Sequence, residues 1–61
     1  MINTHSLVQL KENPTIIGVV KGTYRSDDAV TAWVKWDCGV FETRNVKELR
    51  EIGKFYPAQG G

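Results

Sequence analysis

A single cysteine, Cys38, leaves this chain without an internal disulfide, so the framework that staples many small secreted domains is closed to it. Cys38 and the only histidine, His5, are too few for a structural zinc site of the usual four-ligand kind within one chain. No apolar stretch approaches the roughly 20 residues of a membrane span. The opening Met1–His5 segment has no basic stretch followed by an apolar run, so no secretory signal is expected. The default expectation is a cytoplasmic protein without membrane association. An excess of one charge is missing too: 8 basic residues face 7 acidic ones, for a net charge of +1, and any basic surface must come from local arrangement. Room is also short. A chain of 61 residues makes one domain and buries only about 60% of the surface its unfolded form exposes. That leaves little space for both a core and a deep pocket, which argues against a self-contained enzyme and against a bound cofactor. An oligomer with its pocket at a subunit interface escapes this objection.

The composition is otherwise that of a folded domain, 41% hydrophobic and 25% charged. The apolar pattern is that of short strands. Leu7–Leu10 is the first, ended by Glu12-Asn13-Pro14. Thr15–Tyr24 is the longest and rich in β-branched residues. Gly18 and Gly22 inside it point to a bend, a bulge or a close backbone approach. Arg25–Asp28 is a polar turn. In the next strand, Val30–Asp37, Ala32, Val34 and Trp36 share the inward face and Thr31, Trp33 and Lys35 the outward one. Asp37-Cys38-Gly39 makes a hairpin turn with Gly39 available for a positive φ. Val40–Arg44 returns as its partner. Asn45 is placed to cap a helical turn near Val46–Leu49, with Glu48 reaching back in a capping box. Gly53 stops that segment, and Arg50–Ile52 forms a last strand. A two-turn helix through Ile52 competes with this reading. Order is expected over about residues 6–53, with 54–61 mobile.

Leu7-Val8-Gln9-Leu10, Gly18-Val19-Val20, Trp33-Val34-Lys35-Trp36-Asp37-Cys38-Gly39 and Val46-Lys47-Glu48-Leu49 together resemble small SH3-like barrels of the Tudor and KOW kind. The resemblance covers roughly residues 7–52 and rests on the order of elements. It implies an all-β fold: a small five-stranded SH3-like barrel with one short helical turn before the last strand. The layout is also similar to that of the type II dihydrofolate reductases, which assemble around a shared pore. Their pore segment Val-Gln-Ile-Tyr has no counterpart in Phe41-Glu42-Thr43-Arg44, so no functional residue carries over.

Strict alternation sets Lys21, Thr23 and Arg25 beside Trp33 and Lys35 on the outer face, and the partner strand adds Glu42 and Arg44. Cations with one exposed indole suit phosphates and bases, so DNA or RNA is one candidate partner. Indole is equally a hot-spot residue of protein contacts. The plainer reading is a solvated strand with Trp33 covering an edge or a subunit contact. Trp36 and Phe41 are expected in the core, with Tyr24 at a strand end. The aromatic load also suits a cage for a methylated cation, as in Tudor-type barrels. Cys38 reads as a small turn residue, because a nucleophilic thiol needs a base and His5 lies in a segment expected to be loose. Asp27-Asp28 reads as solvated turn. The terminal Gly60-Gly61 resembles the diglycine of ubiquitin-like modifiers, but no amphipathic run here supplies their long helix. The resulting expectation is a non-catalytic adaptor that binds a protein through Trp33, Lys35, Lys21, Thr23, Arg44 and Glu42. Nucleic acid at the same face is the alternative, an oligomeric enzyme with an interface site a further one, and a homo-oligomer is open.

Overall fold

Strand formers dominate from Ser6 onward, and the computed structural model, which describes residues 2–55, is all-β apart from one helical turn. The strands are β1 (Ser6–Leu10), β2 (Ile17–Ser26), β3 (Ala29–Trp36), β4 (Phe41–Asn45) and β5 (Leu49–Lys54), with a 3-10 turn at Val46–Glu48 before the last. They form one antiparallel sheet in the order β4-β3-β2-β1-β5. Among the described residues no ladder joins β4 to β5, so the sheet is not closed by hydrogen bonds. The competing two-turn helix through Ile52 is absent, and Gly53, expected to stop it, pairs with Leu7 inside β5.

Val8, Leu10, Val20, Ala32, Val34, Trp36 and Leu49 form the core on one face, with Ile2, Ile16 and Val46 packed against it. Val8, Val20 and Val34 are fully buried although no second layer of structure among the described residues covers them. A single sheet seals its own inner face only by curling over it, so this face is concave.

The sharpest local constraint lies between β2 and β3. Gly18 pairs with Trp36 and Val20 with Val34, but the register then shifts, so that Gly22 pairs with Trp33 and Thr23 with Ala32. Lys21 is the extra residue of a β-bulge. Neither Gly18 nor Gly22 has a left-handed φ; each supplies space. A Cβ at Gly18 would lie 2.6 Å from Val34 Cγ1, 2.7 Å from Trp36 Cε3 and 2.8 Å from the Lys35 carbonyl oxygen. At Gly22 it would lie 3.3 Å from Trp33 Cε3. Each indole therefore covers a glycine on the neighbouring strand, Trp36 on the inner face and Trp33 on the outer.

The bulge corrects the expected alternation. Residues directly opposite in an antiparallel pair share a face, so Thr23, opposite Ala32, and Arg25, opposite Val30, belong to the inner side. Tyr24, opposite Thr31, takes the outer side. The β3–β4 hairpin corrects a second set. Its loop is Asp37-Cys38-Gly39, with Gly39 at φ 95° and Trp36 N–H donating to the Val40 carbonyl at 2.9 Å. Three loop residues set Glu42 opposite Val34 and Arg44 opposite Ala32, both inner, and Phe41 opposite Lys35 on the outside. Phe41 is thus 62% exposed and not part of the core.

The remaining corrections are local. The β2–β3 turn shrinks to Asp27-Asp28, with Asp27 at φ 50°. Asn45 caps the 3-10 turn through Lys47 N–H, but Glu48 bonds Arg44 in place of closing a capping box. The segment before β1 is held, not loose: His5 N–H donates to the Val20 carbonyl at 2.8 Å. β5 runs to Lys54, and Phe55 N–H donates to the His5 carbonyl at 2.7 Å. The expectations for the tail, Gly60-Gly61 included, lie outside the described residues beyond Phe55.

Because Gly18 is walled in by a branched side chain, an indole and backbone, Gly18→Ala is expected to destabilise the fold by about 2 kcal/mol. At Gly22 the neighbour is an exposed ring that can shift, and Gly22→Ala should change stability by less than about 1 kcal/mol. Urea unfolding of both variants checks the contrast; equal losses would contradict it.

Candidate functional site

On the outer face of the β2–β3–β4 meander the register assembles Tyr24, Thr31, Trp33, Lys35, Phe41 and Thr43. Tyr24 and Trp33 pack with ring centroids 5.8 Å apart at a 53° tilt, a geometry that favours ring edge against ring face. Lys35 Nζ lies 5.7 Å from the Phe41 ring centroid, within cation–π range. Tyr24, Trp33 and Phe41 remain 47%, 51% and 62% exposed, respectively, so neither contact hides them. Sequence reasoning found Trp33 and Lys35 but missed Tyr24 and Phe41 as their neighbours. The signals were available: two glycines spaced to meet two tryptophans, and a loop of three residues.

The other expected site residues do not join this face. Lys21 is exposed at the bulge, opposite no residue of β3. Thr23 lines a groove of about 660 Å³ with Ile2, Asn3, Arg25, Val30 and Val46, and Tyr24 reaches its wall as well. Glu42 and Arg44 sit at the opposite rim of the core, where the burial of Trp36 explains them. The Trp36 indole N–H needs an acceptor, and Glu42 Oε1 accepts it at 2.9 Å. The same oxygen accepts from Arg44 Nε at 2.8 Å, and Arg44 Nη1 reaches Glu48 Oε1 at 3.0 Å. Arg44 is thereby committed to two carboxylates and is not a free phosphate ligand.

A second polar cluster lies near the β1–β5 edge. The buried Ser6 hydroxyl donates to Glu51 Oε2 at 2.6 Å and accepts from Asn3 N–H at 2.9 Å, while Lys54 Nζ lies 3.2 Å from Glu51 Oε2. Its bonds tie the N-terminal segment to β5. Cys38 is exposed in its loop, and the described residues contain no group of three or more His, Cys, Asp or Glu side chains able to hold a metal ion. No helix among the described residues is long and apolar enough to cross a membrane.

No protein-family model matches the chain, and comparisons with curated proteins and with solved structures find no match.

The Arg44 guanidinium, then the Trp36 indole N–H, hold the Glu42 carboxyl below the usual carboxylate range. A carboxyl depressed in the folded state adds stability above its unfolded pKa and loses it as the pH falls through the folded value. In a Trp33→Phe background, Trp36 emission should therefore stay constant through the usual carboxylate range and change only below it. Glu42→Gln should remove that step. A midpoint at or above the ordinary value, with far-UV circular dichroism unchanged, would contradict the assignment.

Proposed function

We propose that this chain is a non-catalytic binding module, SH3-like in layout, that holds a protein partner against the Tyr24–Trp33–Phe41 face. The strand order β4-β3-β2-β1-β5 and the 3-10 turn before the last strand support the SH3-like reading. Three exposed rings on one face, Tyr24 packed on Trp33 and Phe41 under Lys35, carry the functional reading. Large amphipathic rings contribute contact area at low cost in side-chain entropy and dominate protein-binding hot spots.

Charge favours a protein over nucleic acid as the first reading. Of the basic groups expected beside Trp33, Arg25 belongs to the inner side and Arg44 is tied to Glu42 and Glu48. Lys35, with Lys21 nearby at the bulge, is too little positive charge to neutralise a run of phosphates.

Trp33→Ala is expected to weaken partner binding about 30-fold, the equivalent of a hot spot of about 2 kcal/mol. Phe41→Ala should weaken it less, and Arg44→Ala should leave it unchanged. Affinity should change little between about 50 and 200 mM salt, a range over which phosphate-driven binding collapses. Titration with duplex and single-stranded DNA under the same conditions completes the test. Tight, salt-sensitive DNA binding, or partner binding indifferent to Trp33→Ala, would overturn the proposal.

A further inference from the structure

β4 is an edge strand, and its backbone phase can be read from its partner. Trp36 N–H bonds the Val40 carbonyl while Lys35 pairs with Phe41. Glu42 and Arg44 are thus the residues of β4 that exchange hydrogen bonds with β3, whereas Phe41, Thr43 and Asn45 turn their N–H and C=O groups away from it. No described strand pairs this edge. An open row of donors and acceptors is a template for another strand, and natural edges are guarded by short length, proline, charged side chains or a bulge. β4 has no proline, lysine or bulge, and its two charges, Glu42 and Arg44, are of opposite sign, so they can complement a second copy in place of repelling it. The opposite edge, β5, is guarded: its ladder with β1 shifts register, and it carries Arg50 and Lys54.

We infer that β4 pairs antiparallel with β4 of a second copy of this chain, about a twofold axis at Thr43. Phase and charge select this register. Only Phe41, Thr43 and Asn45 have outward backbone groups, so odd residues must face odd ones, which leaves three centred arrangements. An axis at Glu42 sets Glu42 against its own copy, and an axis at Arg44 sets Arg44 against its own; like charges directly opposite are unfavourable. The axis at Thr43 sets Glu42 opposite the other copy's Arg44, twice, and is the one arrangement that pairs the whole five-residue strand. Those two pairs occupy non-hydrogen-bonded positions of the new ladder, where opposed side chains lie closest. Each carboxylate then meets a second guanidinium while keeping its own. The interface is isologous, as twofold dimers require, and it does not rest on the aromatic-face reading. It would set two Trp33–Phe41 faces side by side on one continuous sheet.

Sedimentation equilibrium over a wide concentration range, with substitutions in β4, tests the inference. The wild-type mass is expected to rise with concentration from the 6.9 kDa of one chain towards twice that value. Thr43→Pro removes an outward N–H that β3 does not use and should hold the chain at monomer mass with its circular dichroism unchanged. Glu42→Arg and Arg44→Glu alone set like charges opposite and should also lower the mass to monomer, at a cost in stability because each breaks the network at Trp36, while the double reversal restores association. Thr43→Cys in a Cys38→Ser background gives a readout that does not depend on the charge variants. It should form an intermolecular disulfide under mild oxidation, because opposed Cα atoms about 5.5 Å apart suit that bond, whereas Thr31→Cys in the same background should not. A wild-type chain that stays at monomer mass throughout overturns the inference. So does a dimer that survives Thr43→Pro, or one in which Thr43→Cys fails to cross-link.

Discussion

Two indoles on β3 must each lie over a gap in β2, and the gaps are out of phase with the rings. Trp33 and Trp36 are three residues apart and point to opposite faces; Gly18 and Gly22 are four apart and in a regular strand would share one. A ladder that sets each ring over a glycine therefore needs one inserted residue between the glycines, and Lys21 is that residue. Without the bulge one ring would meet a side chain where it now meets a bare Cα. The extra residue also increases the local twist, which is what a lone sheet needs if it is to curl over its own apolar face. The buried core, the exposed face and the curvature thus share a single origin.

The polar groups follow from the same packing. Placing Trp36 inside takes its N–H out of water, and Glu42 at the rim of the core meets that need. Glu42 then draws in Arg44, which reaches Glu48 on the 3-10 turn. The network links the end of β3, the edge strand and the turn that leads to β5. It also holds Arg44 against two carboxylates on the inner side, away from the outer face, where rings outnumber free cations.

Much of this was legible in the sequence. The five strands, the Gly39 turn, the Asn45 cap and the inward parity of Ala32, Val34 and Trp36 all follow from short-range pattern, because each depends on neighbours along the chain. What pattern alone misplaced was the facing of Thr23, Glu42, Arg44 and Phe41. Facing beyond a bulge or a hairpin depends on counting residues across strands, and one inserted residue reverses everything after it. The assumption that an aromatic belongs inside placed Phe41 in the core. The three-residue loop, which sets Phe41 opposite the outward Lys35, overrides that assumption. Glu48 was misread for a different reason: a capping box is a local bond, and Arg44 offers its carboxylate a charged partner instead.

The most direct measurement is a set of nuclear Overhauser contacts from the glycine α protons in solution. Gly18 should contact the Trp36 ring and Gly22 the Trp33 ring, both with α-proton shifts moved upfield by the facing indole. Contacts showing Lys21, in place of Gly22, directly opposite Trp33 would mean an unbroken ladder, and the bulge would not exist.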